Sequence, residues 1–305
     1  MIFNRLDHVR YYDKASGDLL LPSEALCNSR IRLIPFNDEW VVSEVMACDR
    51  PKFNNGGYGL LGSCRRRHRD NDEPLTPDEL KAYRDRSRRR AYKRVRDIMD
   101  CNDFDWFMTF TLDADKIDRT DYKTFIEKVR QYMDNRVRRC GWKYCAVVEY
   151  HKRKESNGKH ALHLHACVSG DKMKLSDSGT VIVPNHKKPI TRAYARRLGY
   201  KSEDMRTVYN VDDWALGYST AIHTYGKRLA LSRYITKYIT KSDDKIGGRW
   251  YYSGGDLAEP LYLYDDYNFD AIVGDVEFSH EFGDFKILYF NEGLSIDRLD
   301  DICKS

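Results

Sequence analysis

A short apolar segment, HALHLHACV at residues 160–168, carries two histidines that could bind a metal ion. In a β-strand, residues two apart project from the same face, so His163 and His165 would lie together, about 6–7 Å apart. If this segment forms a hairpin with the preceding one, centred on Ser156, Glu149 lies opposite His163 on that face. One carboxylate and two imidazoles predict a Mg²⁺ or Mn²⁺ site with open coordination positions.

The metal-site prediction depends on the hairpin register, because a slip of one residue would turn Glu149 to the other face. His151 has the same parity as Glu149 and is the reserve ligand. The alternative is that the histidines are half-buried structural residues. Zinc hydrolase signatures fit less well, since the sequence contains no H-E-x-x-H motif.

The repeated unit in LSRYITKYITK, residues 231–241, is the second candidate for chemistry. On a helix, Tyr234 and Tyr238 are one turn apart on the same face, and Lys237 and Lys241 repeat that spacing. A tyrosine becomes an effective nucleophile when its phenolate is stabilised, which a lysine or a metal ion can do. The alternative is a packed aromatic stripe flanked by solvated lysines.

Apolar spacing and turn signals predict the elements that must position these residues. A helix is expected to begin after the cap Thr76, with Pro77 and Glu79 in its first turn, and to run to about Asp100. The elements predicted after it are a strand within 104–115, a helix over 120–139 capped by Thr120, strands over 141–152 and 160–169, a strand within 213–225 and a helix over 226–244. Residues 170–213 predict mainly loop, with one short basic helix. The predicted fold is α+β, an antiparallel sheet of about five strands with flanking helices.

Charge is unevenly distributed along the chain, although the formal net charge is only +5. Residues 64–99 hold thirteen Lys and Arg against seven Asp and Glu, whereas residues 256–305 hold three against thirteen. A basic body with an acidic segment predicts a polyanionic partner, most simply nucleic acid. The alternative is two solvated surfaces of opposite charge. The residues predicted to contact DNA lie on the first helix and are Arg88, Arg89, Arg90, Lys93 and Arg94.

The composition predicts a cytoplasmic protein with a substantial core. Hydrophobic residues make up 41% of 305 residues, and no apolar run approaches the roughly 18 residues that a membrane span needs. The eight cysteines are scattered without a C-x-x-C pair, and the N-terminus has no signal-peptide pattern. Three segments are predicted: an N-terminal extension of short strands over 1–75, a central domain over 76–255, and an acidic, β-containing segment over 256–305.

Three motifs in this order resemble a known family. The H-L-H at 163–165 resembles the histidine–hydrophobic–histidine (HUH) motif of single-stranded DNA nicking endonucleases, and YITKYITK resembles the Y-x-x-K-Y-x-x-K motif of their two-tyrosine branch. FMTFTLD at 107–113 is similar to the first motif of that family. Histidines before tyrosines is the order of replication initiators. Over residues 76–255 the chain therefore resembles the rolling-circle replication initiators of small single-stranded DNA phages, including the microviruses.

The resemblance implies a rolling-circle replication initiator that nicks and rejoins single-stranded origin DNA through a 5′-phosphotyrosine. It implies an RNA-recognition-like core, with host polymerase as a partner and, if the chain is phage-encoded, the host bacterial cytoplasm as its location. A host helicase is also expected, because the sequence contains no G-x-x-x-x-G-K-[ST] motif. The residues implied are the ligands His163, His165 and Glu149, the nucleophiles Tyr234 and Tyr238, and the assisting Lys237 and Lys241. The cysteine-paired N-terminal segment of the gokushovirus group is not found, so the chain is not placed in that group.

Two other functions remain open from the sequence. A transposase or plasmid mobilisation enzyme would use the same chemistry. A DNA- or RNA-binding regulator with a structural metal at Glu149, His163 and His165 would bind nucleic acid and form no covalent product. The duplicated Tyr-x-x-Lys separates the regulator from the enzymes, because a protein that only binds has no need of it.

Overall fold

The protein is described here by a computed structural model, which divides into two compact units. The central unit spans residues 75–258, and the terminal unit combines residues 1–74 with 259–305. The residues that the structure describes are 28–37, 39–48, 76–186, 188–226, 228–241, 245–265, 278–282, 285–295 and 297–299. No helix among them is long and apolar enough to cross a membrane.

Strands and helices alternate along the described part of the chain. They are, in chain order, β1 (Ser29–Phe36), β2 (Glu39–Cys48), α1 (Pro77–Cys101), β3 (Trp106–Leu112), α2 (Tyr122–Cys140), β4 (Lys143–Lys154), β5 (His160–Ser169), β6 (Leu175–Ile182), β7 (Ile190–Thr191), α3 (Arg192–Arg197), β8 (Arg206–Val211), β9 (Gly217–His223), α4 (Arg228–Lys241), β10 (Tyr252–Gly254), β11 (Leu261–Asp265), β12 (Phe278–Phe282) and β13 (Phe285–Ser295).

The terminal unit is a five-stranded antiparallel sheet in the order β11-β1-β2-β13-β12. Strands from both ends of the chain pair directly, with Ile31 opposite Leu263 and Val45 opposite Leu288. These four side chains are buried together in one apolar cluster. The pairing joins segments from opposite ends of the sequence, so local patterns of residues did not indicate it.

The central unit is an eight-stranded antiparallel sheet in the order β10-β4-β5-β3-β9-β8-β6-β7, which confirms the predicted α+β class. The sheet is larger than the predicted five strands, because residues 170–213 contain β6 and β8 rather than mainly loop. Most residues of β6 are exposed or half-buried, so its sequence LSDSGTVI lacks the alternation that predicts a strand. The short basic helix predicted in this segment is α3.

Two helix caps show where the sequence patterns succeed and fail. The predicted capping box of α1 is confirmed, since the Thr76 hydroxyl accepts from the Glu79 amide and the Glu79 carboxylate accepts from the Thr76 amide. The predicted cap of α2 is wrong, because Asp121 and not Thr120 occupies that position. Its carboxylate accepts from the amides of Lys123 and Thr124, and two carboxylate oxygens can satisfy both.

The strands β3, β4 and β5 have two different faces because alternate side chains point to opposite sides. One face packs on α2 in a large apolar cluster that includes Phe110, Leu164 and Phe125. The other face is covered in part by α1 and α4, whose Val95 and Ile235 pack with Cys145, Val147 and Cys167 of the sheet. The histidines and Glu149 lie on this second face.

Candidate active site

The β4–β5 hairpin has the register that the sequence predicted, with Glu149 opposite His163. Val147 lies opposite His165, and the pairing shifts only beyond Tyr150. Glu149, His163 and His165 therefore share one face of two neighbouring strands. This confirms the strand arrangement on which the metal-site prediction depends.

Two threonines of β3 hold the histidine rings, and neither was predicted as a site residue. Thr111 Oγ1 lies 2.7 Å from His163 Nδ1, and Thr109 Oγ1 lies 3.1 Å from His165 Nδ1. Each threonine is directly opposite its histidine across the β3–β5 ladder. Contact at Nδ1 leaves Nε2 of each ring available for another partner. Alternation in WFMTFTL places both threonines on one face, but only the tertiary pairing puts them beside β5.

The predicted ligands supply a donor set that fits Mg²⁺ or Mn²⁺, one carboxylate and two imidazoles. Glu149 Oε2 lies 3.2 Å from His165 Nε2. Two ligands of one octahedral ion, each about 2.1 Å away, lie about 3 Å apart, so these atoms need little movement to share an ion. Burial, with the nearby His165 and His151, lowers the pKa of His163 to about 4 and keeps its imidazole in the neutral form that binds metals.

The third predicted ligand is close but not yet converged with the other two. The rings of His163 and His165 are nearly parallel, with centroids 6.1 Å apart, and the ring of the reserve ligand His151 is 4.9 Å from that of His163. Within the described residues, no three His, Cys, Asp or Glu side chains are already arranged to hold a metal ion. The three-ligand site therefore stays a prediction, supported by the shared face and by the Glu149–His165 contact.

Helix α4 brings both candidate nucleophiles to the histidine face. The ring of Tyr238 stacks on that of His165 with centroids 4.3 Å apart, and the Tyr238 hydroxyl donates a 2.7 Å hydrogen bond to the Tyr234 oxygen. Phe107 of β3 packs edge-on against Tyr234, with centroids 5.0 Å apart. Ile235 and Ile239, on the side of α4 that faces the sheet, are fully buried and fix the orientation of the helix.

The two tyrosines differ in their access to solvent. The exposed fraction is 45% for Tyr234 and 7% for Tyr238. Burial and the hydrogen bond to Tyr234 raise the pKa of Tyr238 well above its usual value. Lys237 is exposed on the same helix, and Lys241 is its last residue, with a side chain outside the described set. Only Tyr234 is therefore placed so that a bound polyanion can reach its hydroxyl without a rearrangement.

The five basic residues predicted on α1 do not form one continuous surface. Arg88 is paired with Asp85 at 3.0 Å, Arg89 is exposed, and Lys93 is half-buried. Arg90 and Arg94 are one turn apart and line a common pocket. The basic residues of the helix are thus divided between different sides.

Comparison with known proteins gives one match for this geometry to be set against. The family model described as replication-associated protein ORF2 matches residues 105–243, a little under half of the chain. This range contains β3, the histidine strand β5 and the tyrosine helix α4. No curated protein and no solved structure matches the chain. The family match supports a replication-associated protein with a role in replication initiation.

Proposed function

We propose that this protein is a single-stranded DNA endonuclease of the HUH type, of the two-tyrosine branch, that initiates rolling-circle replication. The observation that carries the proposal is the stacking of Tyr238 on His165, with Tyr234 hydrogen-bonded to Tyr238. The helix with two tyrosines and the strand with two histidines are distant in sequence, yet they meet on one sheet face. The family match to a replication-associated protein supports the same biological role.

Glu149, His163 and His165 would hold the Mg²⁺ or Mn²⁺ ion of the proposed enzyme. Such an ion, when bound, withdraws negative charge from the scissile phosphate. Thr109 and Thr111 fix the rings through Nδ1, so that Nε2 of each histidine is directed to the ion. Loss of the Nε2 proton of His165 is needed before this nitrogen can bind, and the Glu149 carboxylate beside it is the group that would hold that proton.

Tyr234 is the proposed first nucleophile because its hydroxyl is exposed. Its oxygen attacks the phosphorus, the bond from phosphorus to the 3′ oxygen breaks, and the products are a 5′-phosphotyrosine and a 3′-OH. The phenol proton is lost to solvent, and the leaving 3′ oxygen takes up a proton. One phosphodiester is exchanged for another, so rejoining needs no ATP. Lys237, on the same helix, and Lys241 would offset the negative charge of the phosphate.

Tyr238 is the proposed second nucleophile. After one round of synthesis from the 3′-OH by a host polymerase, with a host helicase opening the duplex, Tyr238 attacks the regenerated origin. The released 3′-OH then attacks the phosphotyrosine at Tyr234 and closes a circle. The hydrogen bond between the two hydroxyls must break for Tyr238 to reach a phosphate, which delays the second attack until the first tyrosine is occupied.

The test is a covalent-adduct assay. The protein is mixed with labelled single-stranded DNA from a panel of phage and plasmid origins and Mn²⁺, and the products are separated on a denaturing gel. We expect a labelled protein adduct that EDTA prevents, that His163→Ala abolishes, and that only the double change Tyr234→Phe with Tyr238→Phe abolishes among tyrosine variants. Tyr218→Phe, at an exposed tyrosine of β9, is the matched control and should react normally. Tight binding with intact DNA throughout would contradict the enzyme and leave a nucleic-acid-binding regulator.

A further inference from the structure

A concave pocket of about 450 Å³ lies between α1 and the segment 245–253 of the central unit. Four of its lining residues are basic: Arg90 and Arg94 from α1, and Lys245 and Arg249 from the facing segment. No Asp or Glu is among the lining residues within the described chain. Four cations in one concave site create a strongly positive local potential, which favours an anionic ligand.

The walls of this pocket are held in place by the fold. Helical spacing puts Ser87, Arg90 and Arg94 on one side of α1. The Trp250 indole is buried and donates a 3.2 Å hydrogen bond from Nε1 to Ser87 Oγ, which joins the segment 245–253 to the helix. The following strand, β10, pairs with β4, with Tyr252 opposite Ala146. The basic side chains are therefore presented by a packed framework and not by a loose loop.

The charges in the pocket differ from those elsewhere on α1. Arg88 and Arg96 are paired with acidic residues of the same helix, at 3.0 and 3.4 Å. None of the ion pairs found among the described residues involves Arg90, Lys245 or Arg249. A phosphate group offers the planar oxygen pairs that guanidinium groups bind best, so it would supply an anionic partner for these cations.

The pocket is separate from the candidate active site but lies along the same strand of the sheet. None of the predicted ligands or tyrosines lines it. β10 borders β4 at Ala146, and Glu149 lies three residues further on, about 10 Å along the strand. A single DNA strand a few nucleotides long can therefore reach both places.

We propose that this pocket is a nucleotide subsite that binds a backbone phosphate of single-stranded DNA, with its attached nucleoside, independently of the metal ion. The volume is within the range of pockets for small ligands and is too small for a duplex. Arg90 and Arg249 bind the phosphate from opposite walls, and Tyr251 lies beside the nucleoside. The inference rests on the proposed function and deepens it, because it names where the strand is anchored outside the cleavage site.

The experiment measures DNA affinity by fluorescence anisotropy with the full chain and a fluorescein-labelled single-stranded oligonucleotide in EDTA. The test variant is Arg90→Gln with Arg249→Gln. The matched control is Arg138→Gln with Arg139→Gln, which removes the same charge from exposed residues of α2 on the other side of the sheet. We expect roughly tenfold weaker binding for the test variant, and a salt dependence of log K lower by about 1.4, since each phosphate contact on single strands contributes about 0.7. The control should bind within about twofold of wild type, because its arginines contact no bound strand.

A second variant places a negative charge in the pocket without removing a cation. Ser253 is exposed on β10, so Ser253→Glu should fold normally and weaken DNA binding as much as the arginine changes. Equal affinity of wild type, both pocket variants and the control would overturn the subsite while adduct formation by the wild type kept the proposed function. Binding of free dTMP that the pocket variants lose, with unchanged oligonucleotide affinity, would assign the pocket to a free nucleotide and overturn the DNA assignment. A wild type that neither binds DNA nor forms an adduct would overturn both.

Discussion

The two faces of β3, β4 and β5 carry residues of opposite character on the same three strands. On the α2 face, successive inward residues such as Phe110 and Leu164 are fully buried in an apolar cluster. On the other face, the positions between them are Thr111, His163 and His165, which contact each other and Glu149 through polar atoms. A two-residue period allows one strand to stabilise the fold on one side and form a site on the other.

The polar face is itself divided along the strands. Cys145 and Val147 of β4 are buried under α1 and α4, whereas Glu149, further along the same strand, is partly exposed beside the histidines. The tyrosine helix spans this boundary, since Ile235 packs on the apolar part and Tyr238 stacks on His165. Burial of the apolar part therefore places the tyrosines over the polar part.

The largest expected effect concerns stability and separates the two faces at adjacent residues. Phe110→Ala should lower the free energy of unfolding by about 3–5 kcal/mol, because it leaves a cavity in the α2 cluster. Thr111→Val, one residue later and facing the site, should change it by less than about 1 kcal/mol. Urea denaturation followed by circular dichroism measures both. Equal losses would show that the two faces do not differ in their contribution to stability.

Glu149→Gln tests the carboxylate of the polar face. The change keeps the size of the side chain but removes its charge, so adduct formation should fall at least about a hundredfold while stability stays within about 1 kcal/mol. Glu127→Gln, at an exposed residue of α2, is the control and should react as wild type. The rate of adduct formation at saturating Mn²⁺ is the measurement. An unchanged rate would remove Glu149 from the ligand set and make His151 the candidate.

Much of this site could be predicted from sequence because its parts are local patterns. The spacing of His163 and His165, the helical repeat of Tyr234 and Tyr238, and the sum of positions that pairs Glu149 with His163 all follow from the periods of strands and helices. These patterns also predicted the ends of β5 correctly.

What the sequence did not indicate is non-local. The role of Thr109 depends on β3 lying next to β5, which strand order decides and local spacing does not. The sheet of the terminal unit joins opposite ends of the chain, and β6 is too polar on both faces to produce an alternating pattern. The pocket at Arg90 and Arg249 combines residues that are distant in sequence, so composition indicated a basic helix but not the concave site.

A smaller effect is expected for the threonines that orient the histidines. Thr111→Val removes the hydrogen bond at His163 Nδ1 but keeps the shape of the side chain, so the Mn²⁺ concentration for half-maximal adduct formation should rise about tenfold. The maximal rate at high Mn²⁺ should recover, since no group that contacts DNA is lost. Thr220→Val is the control, because Thr220 lies opposite Thr109 on β9 and is not among the hydrogen-bond partners found for the histidines in the described chain. A fall in maximal rate with an unchanged Mn²⁺ requirement would contradict an orienting role.

The smallest expected effect is a lack of reaction at the buried part of the polar face. Burial raises the pKa of the Cys145 thiol to about 12, so at about pH 8 only about one molecule in ten thousand carries the reactive thiolate. Native protein treated with iodoacetamide should therefore remain unmodified at Cys145, whereas Cys140, which is half-buried at the end of α2, should be alkylated first. Mass spectrometry of peptides from native and urea-unfolded samples measures both, and the unfolded sample should react at both thiols. Alkylation of native Cys145 as fast as Cys140 would mean that α1 and α4 open readily from the sheet, and that this part of the face is no more closed than the site beside it.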